Sequence, residues 1–361
     1  MTDERKLQEI RSRIDGIDQQ LQDLITERAR CAQEVARHKD IVEDTAEYYR
    51  PEREAQILRK VVQRNQGPLS DEVVARLFRE IMSACLSLQH PMKVAYLGPE
   101  GTYTQAAVTK HFGHAAAALP LGSIDEVFRD VEADAAHYGV VPIENSSEGA
   151  VDHTLDMFIA SPLKICSEIE LRIHHCLLSR EDSLDKVERI YGHQMALAQC
   201  REWLDAHAPR IERIAVNSNA GAARRASKEP GAAAIASESA AEIYELNKLA
   251  DNIEDKPDNT TRFLVIGRRM PASSGKDKTS LLVSAANKPG ALFRLLKPLS
   301  EHGISMTRIE SRPSRQGLWE YVFFIDIEGH VDDANVAAAL QDLKGEAAMV
   351  KVLGSYPSAV L

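Results

Sequence analysis

The chain has 361 residues, 44% hydrophobic and 27% charged, which suits a globular protein with two or three cores and argues against disorder. Its net charge of −10 argues against a nucleic-acid partner, because phosphate binding needs a basic face, and leaves any anionic ligand to a local basic pocket. Cys31, Cys85, Cys166, Cys176 and Cys200 are scattered without a Cys-x-x-Cys pair, Met1 to Lys6 is charged, and no long uncharged apolar run follows. Neither zinc nor disulfides are signalled, and a reduced cytoplasmic setting is expected rather than secretion or a membrane.

In chain order, Leu7, Ile10, Ile14, Ile17, Leu21, Leu24, Arg28, Cys31 and Val35 recur at spacings of three and four. This predicts one helix over residues 5–39, roughly 50 Å long, with a coiled-coil-like seam that packs against a second chain. Helices over Pro51 to Asn65 and Ser70 to Gln89 follow, the latter with Ser70 as N-cap. Arg28 lies on the seam, Lys39 is close to the same face, and Arg11 is some 25 Å away along the axis. One helix therefore cannot bring all three to one small ligand. On spacing alone these cations read as solvated or interchain ion pairs.

Residues 1–91 resemble the all-helical chorismate mutase domain of bifunctional chorismate mutase/prephenate dehydratases. The resemblance rests on Arg11, Glu27-Arg28, Lys39, Tyr49-Arg50-Pro51-Glu52-Arg53-Glu54 and Gln89. It implies that Arg11 comes from the opposite protomer, Arg28 and Arg53 hold substrate carboxylates, Lys39 and Gln89 donate to the ether oxygen, and Glu54 takes a hydroxyl. Such a pericyclic rearrangement of a dianion needs positioning and charge stabilisation rather than a nucleophile or base. Arg50 and Cys85, where some relatives carry an acid and a serine, are expected near the substrate.

From residue 92 the pattern changes. Lys93 to Gly98 reads as a strand entering the turn Gly98-Pro99-Glu100-Gly101-Thr102-Tyr103-Thr104, and then a helix over Gln105 to His111. This βα unit points backbone N–H groups and hydroxyls at a crevice, without the third glycine of a dinucleotide fingerprint. Helix Ile124 to Glu132, strand Tyr138 to Ile143, strands around Leu163 to Leu178, helix Met195 to Ala206 and strand Ile211 to Val216 predict an α/β unit with two lobes. Pro142 to Gly149 reads as a surface turn or a ligand-facing strand end. His193 and Gln199 sit where capping or core-satisfied groups are common. Asp258-Asn259-Thr260-Thr261-Arg262-Phe263 feeds a hydroxyl, a guanidinium and a ring into the apolar run Leu264 to Ile266, as at the mouth of a strand facing a cleft.

Residues 92–269 resemble prephenate dehydratases through Leu97 to Thr104, Val141 to Ser146, His193 with Gln199-Cys200, and Asn259 to Phe263. The resemblance implies two α/β lobes like those of periplasmic binding proteins, with the site in the cleft between them. Thr261 would donate to the leaving hydroxyl and Arg262 would hold a carboxylate. Glu144, Asn145 and Gln199 would position the substrate, beside Thr102, Ser146, His193 and Phe263. Gly192 stands where some relatives place a serine. No metal or cofactor is expected, since aromatisation with loss of carbon dioxide drives the reaction.

Met270 to Asp277 reads as a linker by composition. Beyond it, strand Thr279 to Ala285, helix Ala291 to Ser300, strands Ile304 to Arg312 and Trp319 to Ile327, helix Asp333 to Leu343 and strand Val350 to Ser355 give βαββαβ, a ferredoxin-like sandwich. Residues 278–361 resemble an ACT domain through Asn287-Lys288-Pro289-Gly290-Ala291-Leu292 and Glu310-Ser311-Arg312-Pro313. That implies loops meeting across a dimer interface and binding L-phenylalanine, with Asn287, Gly290, Ala291, Leu292, Glu310, Ser311 and Arg312 as contacts. The reading is a cytoplasmic homodimer that converts chorismate through prephenate to phenylpyruvate under feedback by phenylalanine. The alternatives are an arogenate-preferring dehydratase and a catalytically dead amino-acid sensor.

Overall fold

The computed structural model describes residues 2–42, 49–284, 288–313 and 321–360, with only the backbone at 2 and 39–42. The ends of two expected strands, at Ala285 and Trp319, lie outside the described residues. Helix α1 (Thr2–Val42) precedes α2 (Pro51–Arg64) and α3 (Asp71–Ser87). Pro51 starts α2 where a missing N–H costs nothing, and the Ser70 hydroxyl accepts from the Val73 N–H to open α3. The stripe Leu7, Ile10, Ile14, Ile17, Leu21, Leu24 and Ile25 is 42–62% exposed, so within one chain the expected seam has no cover.

The middle unit has two sheets. The first lobe takes β1 (Lys93–Leu97), α4 (Tyr103–Phe112), β2 (Ala117–Leu121), α5 (Ile124–Glu132), β3 (Tyr138–Asn145), β4 (Gly149–Ala150), α6 (Asp152–Ala160) and β5 (Lys164–Arg172). The chain then crosses to a second lobe with β6 (Cys176–Ser179), β7 (Arg189–His193), α7 (Gln194–Gln199), α8 (Arg201–His207), β8 (Glu212–Val216), α9 (Asn219–Ala226), β9 (Ala232–Ala236), α10 (Glu238–Ile243) and β10 (Asn247–Ala250). It returns as β11 (Thr260–Gly267), which inserts between β3 and β5 of the first sheet, antiparallel to both. The crossings pair with each other, Ile173 N–H donating to the Asn259 carbonyl and Ile253 N–H to the His175 carbonyl. The helix expected over Met195 to Ala206 is broken at Cys200 (φ −109°, ψ 15°), where Asp255 accepts from the Glu202 and Trp203 N–H groups and so caps α8.

The last unit contains β12 (Asp277–Ser284), α11 (Ala291–Glu301), β13 (Met306–Pro313), β14 (Tyr321–Glu328), α12 (Ala334–Glu346) and β15 (Met349–Pro357), with sheet order β13-β14-β12-β15, the ferredoxin-like arrangement. One sheet face buries Leu282, Phe324, Leu353 and Tyr356 in a single cluster with Leu155, Phe158, Ile165 and Leu264 of the first lobe. Gly354 permits this approach, because a Cβ there would run into the Ile165 backbone. The other face packs under α11 and α12. The expected linker is instead a fastened turn. Asp277 accepts from the hydroxyls of Ser273 and Ser274, and Arg59 of α2 reaches the Ser274, Lys276 and Ser358 carbonyls at 3.3, 2.7 and 3.2 Å. Among the described residues no helix is long and apolar enough to cross a membrane.

Candidate active site

The register of β11 against β3 sets Thr261 opposite Asn145. The Asn145 amide donates to Thr261 Oγ1 at 2.7 Å and to Asn259 Oδ1 at 2.9 Å, while Asn145 Oδ1 accepts from the Ser147 hydroxyl at 2.7 Å. From the second lobe, at the end of α7, Gln199 completes the cluster: its Nε2 donates to Ser147 Oγ at 3.0 Å, and its Oε1 accepts from Asn259 Nδ2 at 3.2 Å. Behind Gln199, His175 Nε2 lies 2.8 Å from the same Oε1, and His175 Nδ1 lies 2.8 Å from the Tyr103 hydroxyl. These groups form one hydrogen-bonded network joining both lobes. Thr261 Oγ1 accepts within it, and its own proton has no acceptor among the described residues, so it is available to a molecule in the cleft.

The network carries no ionised group among its contacting atoms. Burial pulls the His175 pKa down and the imidazole is neutral at pH 7, while burial raises the Tyr103 phenol well above its usual range. The neighbouring thiols are likewise held protonated by burial, Cys176 pushed up to about 11 and Cys200 higher still. Such a site can orient a polar substrate and donate a hydrogen bond, and it offers no thiolate nucleophile.

Several expected substrate contacts lie elsewhere, and the pleat explains two of them. Neighbours on a strand face opposite sides, so with Thr261 and Asn145 at the cleft, Arg262 and Glu144 turn the other way. Arg262 is only 13% exposed; its Nε donates to Glu168 at 3.0 Å, and its two terminal nitrogens donate to Asp326 at 2.7 Å and the Tyr356 hydroxyl at 3.1 Å. The guanidinium expected to hold a substrate carboxylate is thus spent on the junction with the last unit. Glu144 pairs with Arg308 of β13 at 3.0 Å, and Phe263 is 2% exposed in the core beside Val94 and Tyr96. Ser146 pins β3 to β11, its hydroxyl accepting from Thr260 N–H. Thr102 and His193 cap α4 and α7, accepting from the Gln105 and Met195 N–H groups. Tyr103, Ser147, His175 and Asn259 were not among the expected site residues; three lie in the quoted motifs or next to them, while His175 has no local signal.

The helical unit does not assemble its expected site within one chain. Arg11 and Arg53 are exposed, Arg28 donates weakly to the Ile81 carbonyl at 3.5 Å, Arg50 pairs with Glu52 at 2.6 Å, and Cys85 is buried. Gln89 sits just past the end of α3, and the Lys39 side chain lies outside the described residues. Glu54 turns toward the middle unit, 3.8 Å from Arg79, and burial raises its pKa to about 7 against the opposing pull of Arg79. In the last unit Asn287 lies outside the described residues. Gly290 (φ +74°) opens α11, with Ala291 at its first position and Leu292 38% exposed. Glu310 and exposed Ser311 lie on β13, two strands from β12. Arg312 is already held by Asp152 and Asp156 of α6 at 2.5 and 2.8 Å, which argues against its serving a free ligand.

A helical unit, a two-lobed α/β unit with a polar network across its cleft and a ferredoxin-like module docked on the first lobe define a multidomain enzyme with an appended regulatory-type module. Family models match each part: chorismate mutase type II over residues 10–90, prephenate dehydratase over 94–271 and ACT domain over 279–345. The chain is 56% identical to a bifunctional chorismate mutase/prephenate dehydratase of Pseudomonas aeruginosa, with all of both chains covered, and 52% identical to one of Neisseria gonorrhoeae over 97% of each. A solved prephenate dehydratase of Arthrobacter aurescens in complex with L-Phe is 37% identical with a TM-score of 0.69, over 74% of this chain and 90% of that one. The chain belongs to the bifunctional chorismate mutase/prephenate dehydratase family.

Proposed function

We propose that the chain rearranges chorismate to prephenate in its helical unit and converts prephenate to phenylpyruvate in the cleft of its middle unit, with phenylalanine acting through the last unit as a feedback inhibitor. The observation that carries the dehydratase assignment is the Thr261 hydroxyl, which accepts from Asn145 and keeps its proton free to donate. In the reaction, the electron pair of the breaking carboxylate bond enters the ring as carbon dioxide leaves. The ring C–O pair departs with the oxygen as hydroxide. A threonine hydroxyl is too weak an acid to give up its proton outright, but it can hydrogen-bond the developing hydroxide. Acceptance from Asn145 polarises the hydroxyl and makes it a better donor. Asn145 and Gln199 hold the substrate from opposite lobes.

The mutase site in this reading is shared by two chains, because Arg11 cannot reach Arg28 along one helix and the uncovered stripe on α1 suits a second copy. Arg28, Arg53, Lys39 and Gln89 from one chain would then meet Arg11 of the partner subunit around the dianion. Domain limits at 1–91, 92–269 and 278–361, a homodimer and a cytoplasmic location complete the proposal. The test is Thr261→Ala assayed with chorismate and with prephenate. Dehydration should fall by about a hundredfold or more while the mutase rate stays near wild type. Collapse of both activities in a folded chain would refute separate sites.

A further inference from the structure

His175 lies on the first crossing between the lobes and is 2% exposed. Its Nε2 is 2.8 Å from Gln199 Oε1, and a carbonyl oxygen can only accept, so Nε2 carries the hydrogen. On the other edge, Nδ1 lies 2.8 Å from the Tyr103 hydroxyl, whose single hydrogen points at the His174 carbonyl, 2.7 Å away, and is shared with Nδ1 when Nε2 carries the imidazole proton. The second bond to Gln199 Oε1 comes from Asn259 Nδ2. Both acceptor positions of the amide are therefore filled from behind, and turning it over would set its NH2 against two donors. Gln199 Nε2 is left aimed at Ser147 and the cleft. The backbone supports the same arrangement: Glu254, on the return crossing, accepts from His175 N–H and pairs with His174, while Asp255 N–H donates to the Gln199 carbonyl.

We infer that His175 is a positioning residue for the dehydratase, a neutral Nε2–H imidazole that sets the direction of the Gln199 amide and so lets the second lobe present an N–H donor to the substrate. The inference rests on the dehydratase reading of the cleft. It assigns His175 no proton transfer; the residue acts through Gln199. An imidazole suits this task because it is rigid, spans the distance between Tyr103 and Gln199, and offers a donor on one edge and an acceptor on the other.

The experiment is steady-state kinetics with prephenate on the full-length protein, with mutase turnover measured alongside to report the folded fraction. His175→Phe keeps a ring and removes the donor; kcat/KM for prephenate should fall about tenfold, mostly through KM, because a substrate-gripping donor acts on ground and transition states alike. His175→Gln restores an N–H near the same place and should recover much of that loss. In a Gln199→Leu chain, adding His175→Phe should cost nothing further, since the residue has lost the group it directs. Wild-type kinetics in His175→Phe, equal losses in the Phe and Gln variants, or losses that multiply in the double variant would overturn the inference. A measurement on the unaltered protein covers the case of a misfolded variant: nitrogen NMR of the histidines should find Nε2 protonated and Nδ1 bare near pH 7, and the reverse tautomer would overturn it. If the unaltered chain fails to dehydrate prephenate, the reading of the cleft is wrong instead.

Discussion

Arg262 decides between two views of β11, and replacing it separates them. In Arg262→Leu, Glu168 keeps Lys278 at 2.8 Å and the Ala359 N–H at 3.0 Å, whereas Asp326, 7% exposed, is left among the described residues with only the Ser280 hydroxyl at 2.6 Å. A buried carboxylate that loses its cation costs about 3–5 kcal/mol, a large share of the roughly 5–15 kcal/mol that holds a domain together. Removing the charge as well, in Arg262→Leu with Asp326→Asn, eliminates the orphan and should recover at least half of that loss. The assay is urea unfolding of the three proteins followed by prephenate kinetics on those that fold. Because the guanidinium faces the last unit and Thr261 faces the cleft, KM in the folded double variant should stay within about threefold of wild type. A single variant that loses under 1 kcal/mol would show that the pair is not buried in solution. A tenfold or larger rise in KM in the double variant would return Arg262 to the substrate and refute the alternation argument.

Three further outcomes follow from other parts of the chain. Burial raises Glu54 to about 7 from its ordinary 4.5, so between those values the folded chain holds a proton that the unfolded chain has lost, and stability falls as pH rises through that window. Glu54→Gln should therefore gain up to about 3 kcal/mol over wild type at pH 8 and little at pH 4.5, read from urea midpoints; an equal gain at both pH values would contradict a shifted carboxyl. Mixing inactive Arg11→Ala and Arg28→Ala chains should restore mutase activity, since a mixed dimer has one site with both arginines, and no rescue after proven subunit exchange would rule out a shared site. Ser311 is exposed on the edge strand β13, and Ser311→Trp should weaken phenylalanine inhibition of the dehydratase with turnover preserved; undiminished inhibition would place the effector elsewhere.

What the sequence could and could not convey depends on how far away the deciding partner lies. The Ser70 cap, the cleft-facing pair Asn145 and Thr261 and the βαββαβ order are set by local pattern, and the observed elements follow it closely. The break at Cys200 has no proline or glycine to announce it; it depends on Asp255, which arrives on the return crossing. Likewise Met270 to Asp277 has linker composition, yet Asp277 and the distant Arg59 turn it into a fixed corner. Arg262 differs again, because its direction follows from local pattern alone. A strand that gives Thr261 to one face must give the next residue to the other. That same fact ties the parts together: β11 presents its hydroxyl to the cleft and, one residue on, its guanidinium to Asp326 and Tyr356 of the last unit. A shift of the ferredoxin-like sheet on the first lobe would pull directly on the strand that carries Thr261. The helical unit meets the last unit through Arg59, which donates to the Lys276 and Ser358 carbonyls, and through Arg79, which donates to the Val360 carbonyl. An effector that moves the sheet should therefore change dehydration more than the mutase reaction.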